Sequence, residues 1–200
     1  LIIVKNLTDV ENWPVYTKYL GNAQKLYLSE TDSASAATQW NSTTPTSSVI
    51  SIGTHNSVND SGDDYVAYCF APIKGYSAVG RYLGNGETDG PFIYTGFKPA
   101  WVMVKETAAG GGWLIWNQDP VGGAMTGSVN VEYNVITSRI LANTNAARDT
   151  GAGNSIDFCA TGFKIRTDDG DFNADGQGAI YVAFAQNTLV GTNDVPGTAV

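Results

Sequence analysis

Asp171, Asn173 and Asp175 alternate ahead of Gly176 in the stretch TDDGDFNADGQGAIYVAFAQ (167–186), the spacing at which oxygen ligands enter a calcium loop. Three such oxygens, followed by a glycine that permits a sharp turn, would suit a hard divalent cation. The bidentate glutamate that closes such a loop is missing, since its place falls on Val182 inside an apolar run. An earlier stretch, NDSGDD (59–64), matches this one but loses the alternation. What the two share is Asn-x-x-Gly ahead of an apolar segment, where Asn tolerates left-handed backbone and Gly supplies positive φ. The expectation is a hairpin turn with no cofactor; calcium at Asp171, Asn173 and Asp175 is the alternative.

Other groups invite a sugar-binding or catalytic reading. Trp40 stands in the polar stretch TQWNSTTPT, the better candidate for an exposed aromatic platform. With Asp168 and Asp169 it would form a glycan contact. Trp13 and Trp113 alternate with apolar residues and read as core. His55 is the sole histidine, and no Gly-x-Ser-x-Gly elbow accompanies it, so a nucleophile–base arrangement is not expected. The acidic pairs Asp63-Asp64 and Asp168-Asp169 stand in turns, where Asp is locally favoured without any catalytic role. GNGETDG and AAGGGW are glycine-rich, but neither leads from a strand into a helix with a lysine, as a phosphate cradle requires. The expectation is a protein that is not an enzyme.

The elements that must position these groups are strands. The 200 residues contain 15% charged and 11% aromatic residues, abundant Gly, Ser, Thr, Asn and Asp, and few strong helix formers. FKIRT alternates strictly, placing Phe163 and Ile165 on one face, while AIYVAFA is apolar almost throughout and suits a strand covered on both sides. One helical turn is conceivable at 28–40 and at 141–149. A net charge of −8 with a pI near 4.4 excludes the basic face that nucleic acid or an anionic membrane would require. No apolar run reaches the roughly 20 residues of a membrane helix. Cys69 and Cys159 lie in apolar runs without metal-ligand spacing and read as buried free thiols, with a disulfide as the other reading.

The chain repeats itself. IIVKNLTDVENWPVY (2–16) matches VMVKETAAGGGWLIW (102–116), placing Lys5 on Lys105 and Trp13 on Trp113. LSETDSA (28–34) matches LANTNAA (141–147), and VNDSGDDYVAYCFA (58–71) matches FNADGQGAIYVAFA (172–185). The growing offset implies an insertion within 117–138. GYSAVGRYLGNGETDGPFIYTGFKPA (75–100), with strands at 77–83 and 91–97, has no earlier copy, so the first copy reads as truncated at its start. The expected division is 1–72, a first repeat lacking its opening strands; 73–190, a complete second repeat; and 191–200, a polar tail or linker.

YLGNGETDGPFIYTGFKPAWVMVKE, WLIW and SIDFCATGFKIRTDDGDFNADGQGAIYVAFAQ together resemble the repeated β-sandwich domains of tailed-phage virion proteins, notably of marine and cyanobacterial phages. The resemblance covers the second repeat almost fully and the first from Leu1 to about Pro72. It implies concanavalin-like jelly rolls and a structural role in a tail, fibre or capsid appendage, located in the virion. The expectation is therefore an all-β chain of two tandem antiparallel, jelly-roll-like sandwich modules. Its expected partners are further copies of itself and other virion or surface structural proteins, with neither nucleic acid nor membrane insertion. One alternative is an adhesin module that binds host-surface glycan. Another is an extracellular filament joined by strand donation, in which residues 1–6 pair with a different chain.

Overall fold

The computed structural model describes residues 1–118 and 134–187. Most of the expected insertion and the whole 191–200 segment fall outside them. Among the described residues every strand pairing is antiparallel. Helix is limited to α1 (Asn56–Asn59), α2 (Gly170–Asn173) and a 3-10 turn at Ala152–Asn154. The chain is all-β.

Three sheets form. The first contains β1 (Ile2–Asn6), β2 (Pro14–Tyr16), β3 (Gln24–Tyr27), β4 (Ser35–Ala36) and β5 (Tyr65–Cys69), in the order β4-β3-β2-β1-β5. The second contains β6 (Ser77–Leu83), β8 (Pro99–Glu106), β9 (Leu114–Asn117), β10 (Ile140–Leu141) and β13 (Gly178–Ala185), in the order β10-β9-β8-β13-β6. The third is β11 (Ile156–Cys159), β12 (Gly162–Ile165) and β7 (Phe92–Tyr94).

The second sheet is the middle layer. On one face Val102, Val104, Trp116, Tyr181 and Ala183 pack against Ile93, Ile156, Phe158, Phe163 and Ile165 of the third sheet. On the other, Met103, Ile180 and Val182 meet Ile3, Val15 and Leu26 of the first sheet. Burial on both faces is why β13 is apolar at nearly every position. A third, smaller core covers the outer face of the first sheet: Ile2, Val4 and Tyr16 against Trp40 and Val58. Among the described residues nothing strand-like lies there, and the 37–58 segment does the covering.

The two repeats reproduce one another's pairing. Lys5 pairs with Val66 as Lys105 pairs with Ile180, and Ile3 with Tyr68 as Met103 with Val182. At the end of β1 the Asn6 Oδ1 accepts the N–H groups of Thr8 and Asp9; at the end of β8 the Glu106 Oε1 accepts those of Ala108 and Ala109. The middle block needs one correction. Tyr27 opposes Pro14 as Leu141 opposes Leu114, so the offset there is one residue more than the sequence match gives, the same as in the last block. Identical side chains (Leu28, Leu141) had drawn the sequence match one position out of register.

Like faces of the repeats meet each other. Ile3 and Met103 occupy equivalent positions and share one core, and the rings of the equivalent Phe70 and Phe184 touch edge-on at 6.0 Å between centroids. Contact between equivalent residues is the mark of an isologous interface, within one chain in this case. Polar bonds tie the seam: Lys105 Nζ donates to the Thr31 carbonyl at 3.2 Å, and Ala34 N–H to that of Thr107 at 2.9 Å. Lys105 has no exposed surface, and burial pushes its pKa down from the usual lysine value.

Further expectations change. Residues 28–40 hold β4 rather than a helical turn. Cys69 and Cys159 are free, but Cys69 is exposed on an edge strand and Cys159 half-buried. Residues 1–6, which the filament alternative pairs with a different chain, pair with β2 and β5 of their own. The 167–177 segment is not a hairpin tip. It passes from β12 in the third sheet to β13 in the second, and α2 makes the crossing.

Candidate functional site

Two segments 88 residues apart in sequence close around Asn173. Asp169 begins the crossing by capping α2, its Oδ1 accepting the Asp171 N–H at 2.8 Å. Asn173 ends that turn with no exposed surface. Its Oδ1 accepts the Asn85 N–H at 3.0 Å, and its amide donates to Asn85 Oδ1 (3.2 Å), the Glu87 carbonyl (3.0 Å) and the Thr167 carbonyl (2.7 Å). The Gly86 N–H returns a bond to the Asn173 carbonyl at 2.8 Å. A Cβ on Gly84 would stand 2.3 Å from the Ala174 carbonyl oxygen, so the backbone can come this close only with glycine. GNG (84–86) and NADG (173–176) are the two halves of one clasp.

The clasp decides what the calcium-loop residues do. Asn173 spends its side chain inside it. Asp171 lies 3.7 Å and Asp169 3.3 Å from the guanidinium of Arg139, which also reaches Asp149 at 3.5 Å and lies over the Phe172 ring at 5.9 Å. Asp175 is exposed. Among the described residues no group of three His, Cys, Asp or Glu side chains is placed to hold a metal ion. The Asn154 amide close by, the Gly151 N–H that donates to its Oδ1 at 3.2 Å, and Arg139 beside them hold the Asp149 carboxyl below its usual range. Arg139 escaped the sequence reading because nothing in SRILANT marks it as the counter-ion of acids thirty residues on.

Trp40 is not an exposed platform. It has no exposed surface and stands edge-on to Tyr16 at 5.7 Å, plugging the outer face of the first sheet. A polar stretch carries a buried tryptophan because, among the described residues, no sheet covers that face. Asp168 is exposed and Asp169 half-buried at α2, in the outer layer of the second sheet, so neither shares a core with Trp40. His55 takes the place in the first repeat that Asp169 has in the second: its Nδ1 caps α1 by accepting the Ser57 N–H at 3.1 Å.

One cleft lay outside the sequence reading. Trp13, Leu28, Ser29, Ala142, Asn143 and Thr144 line an open hollow of about 400 Å³ where the repeats adjoin. Its counterpart tryptophan, Trp113, is buried and donates Nε1–H to the Tyr27 carbonyl at 2.8 Å, whereas Trp13 is half-buried. An aromatic edge among hydroxyl and amide groups suits a neutral polar ligand. The repeat match showed the two tryptophans as equivalents and gave no signal that their surroundings differ.

Residues 1–188 match the model of a family described as "Domain of unknown function (DUF7483)". The chain belongs to this family. No curated protein and no solved structure matches it. The DUF7483 match spans all three sheets and the Asn173 clasp, and takes in both repeats under a single model.

Proposed function

We propose that this DUF7483 chain is a non-catalytic structural protein of a phage particle, serving in a tail, fibre or capsid appendage. Its body is two tandem β-sandwich repeats, 1–72 and 73–190, the first without opening strands. The observation that carries the reading is the fate of the phage-like residues. GNG and NADG spend their side chains and backbone groups on each other, and Arg139 neutralises the neighbouring acids, so these stretches serve rigidity. Like faces stacked on one core yield a stiff block that can be strung along a long chain, presenting loops outward. Further copies and other virion structural proteins are its proposed partners, and a charge of −8 leaves nucleic acid no basic face. The glycan-binding alternative keeps one supporting observation, the hollow beside Trp13.

Mass spectrometry of purified particles from a phage that encodes the chain tests this directly. Its peptides are expected in the particle at several copies each. Peptides present throughout infection but absent from washed particles would overturn the reading.

A further inference from the structure

Trp13 and Trp113 are equivalent, and their backbone surroundings repeat bond for bond. Leu28 N–H donates to the Trp13 carbonyl as Ala142 N–H donates to that of Trp113, both at 2.9 Å. Trp13 N–H donates to Ser29 Oγ at 3.3 Å as Trp113 N–H donates to Asn143 Oδ1 at 2.9 Å. The side chains then part. Trp113 is buried and spends its indole N–H on the Tyr27 carbonyl, while Lys105 reaches the Thr31 carbonyl across the seam. In the first repeat Lys5 bonds the carbonyls of Asp9 and Glu11 instead and stands over the Trp13 ring at 5.9 Å. Trp13 stays half-buried, and among the described residues its indole N–H has no acceptor. The second repeat thus spends its lysine and tryptophan on joining the repeats, and the first leaves its tryptophan at the wall of the open hollow.

We propose that this hollow binds a neutral saccharide. Its other walls are Leu28 and Ser29 of the first repeat and residues 142–145 of the second, and no charged side chain lines it. Asn143 has its Oδ1 committed to Trp113, so its amide N–H groups are what it has left to offer. Thr144 and Asn145 are exposed, and the Thr144 Oγ1 accepts the Ala146 N–H, which leaves its hydroxyl proton as a donor. Unspent donors around a tryptophan and a leucine, without formal charge, suit a ligand with many oxygens, an apolar C–H face and no ionised group. A carboxylate there would lose water and gain no cation. The volume of about 400 Å³ lies at the small end of ligand pockets, and the open mouth lets the rest of a longer chain stay in water. Such binding gives the glycan-binding alternative its site and does not rest on the structural role.

Saturation-transfer NMR with the full chain tests this against maltotriose, cellotriose, xylotriose, mannotriose and chitotriose, with trigalacturonate as the charged comparison. At least one neutral trisaccharide is expected to saturate with a Kd on the order of 1 mM or below, and trigalacturonate to bind at least about tenfold more weakly. Trp13→Phe keeps an apolar ring against the core and removes the indole N–H, and should weaken binding about fivefold or more. Ala142→Leu supplies an arm that leaves the tryptophan in place. Ala142 is exposed and its counterpart is Leu28, so the chain tolerates the larger side chain, which fills the hollow. Binding should fall about tenfold or more with the melting temperature little changed. No saturation by any neutral trisaccharide would overturn the proposal. So would binding that Ala142→Leu leaves intact, because it would lie elsewhere, or trigalacturonate binding as tight as the best neutral probe. Presence in particles is read separately by mass spectrometry, so the saccharide site and the structural role stand or fall apart.

Discussion

Asn173→Ala is expected to lower the unfolding free energy by about 3–4 kcal/mol, whereas Asn59→Ala, at the equivalent position, costs about 1 kcal/mol. The same residue type ends the same one-turn helix in each repeat. Asn173, however, has no exposed surface and joins Asn85, Glu87 and Thr167, while Asn59 is exposed and donates once, to the Gly53 carbonyl at 3.1 Å. Truncating Asn173 leaves the Thr167 carbonyl without its buried donor and the Asn85 N–H without its acceptor, and each orphan costs about 1–3 kcal/mol. Truncating Asn59 removes a single bond made by an exposed side chain. Urea denaturation of both variants decides the matter: equal losses would show that the clasp contributes nothing beyond a local turn.

Trp116→Ala is expected to lose about 3–5 kcal/mol. The indole has no exposed surface, tilts against Phe172 at 4.9 Å, and donates Nε1–H to the Asn154 carbonyl at 2.7 Å. It sits between the middle sheet and α2, so the void opens where the second sheet, the third sheet and the clasp converge. Trp116→Phe separates the two contributions. It restores most of the packing and leaves only the Asn154 carbonyl orphaned, a loss of about 1–2 kcal/mol. Guanidinium denaturation reads both variants, and a loss under about 1 kcal/mol for Trp116→Ala would mean that this core repacks freely.

Much of this fold was legible because β-structure writes its faces into a two-residue period. Phe163 and Ile165 alternate with Lys164 and Arg166, and the structure buries the first pair. The unbroken apolar run of β13 announced a strand covered on both sides. The repeat offsets, read from Lys5, Trp13 and Phe70, recur in the strand registers with a single one-residue correction. Other features were not legible, for physical reasons. A repeat match shows that two segments fold alike, and does not show that their like faces will meet. Trp40 looked exposed because its neighbours are polar, yet its surroundings are set by the outer face of the first sheet, which it covers. The alternation of Asp171, Asn173 and Asp175 fits a metal loop as well as a capped helical turn. Arg139 and Asn85, distant in sequence, decide what those side chains touch.

The central claim is that the two repeats share one core between their sheets and behave as a single stiff block. Differential scanning calorimetry of the whole chain tests it most directly. One transition is expected, with calorimetric and van't Hoff enthalpies equal, because the layer of Ile3, Leu26, Met103 and Val182 cannot be lost from one repeat alone. Two separable transitions, with the 1–72 segment melting while the second and third sheets persist, would contradict it.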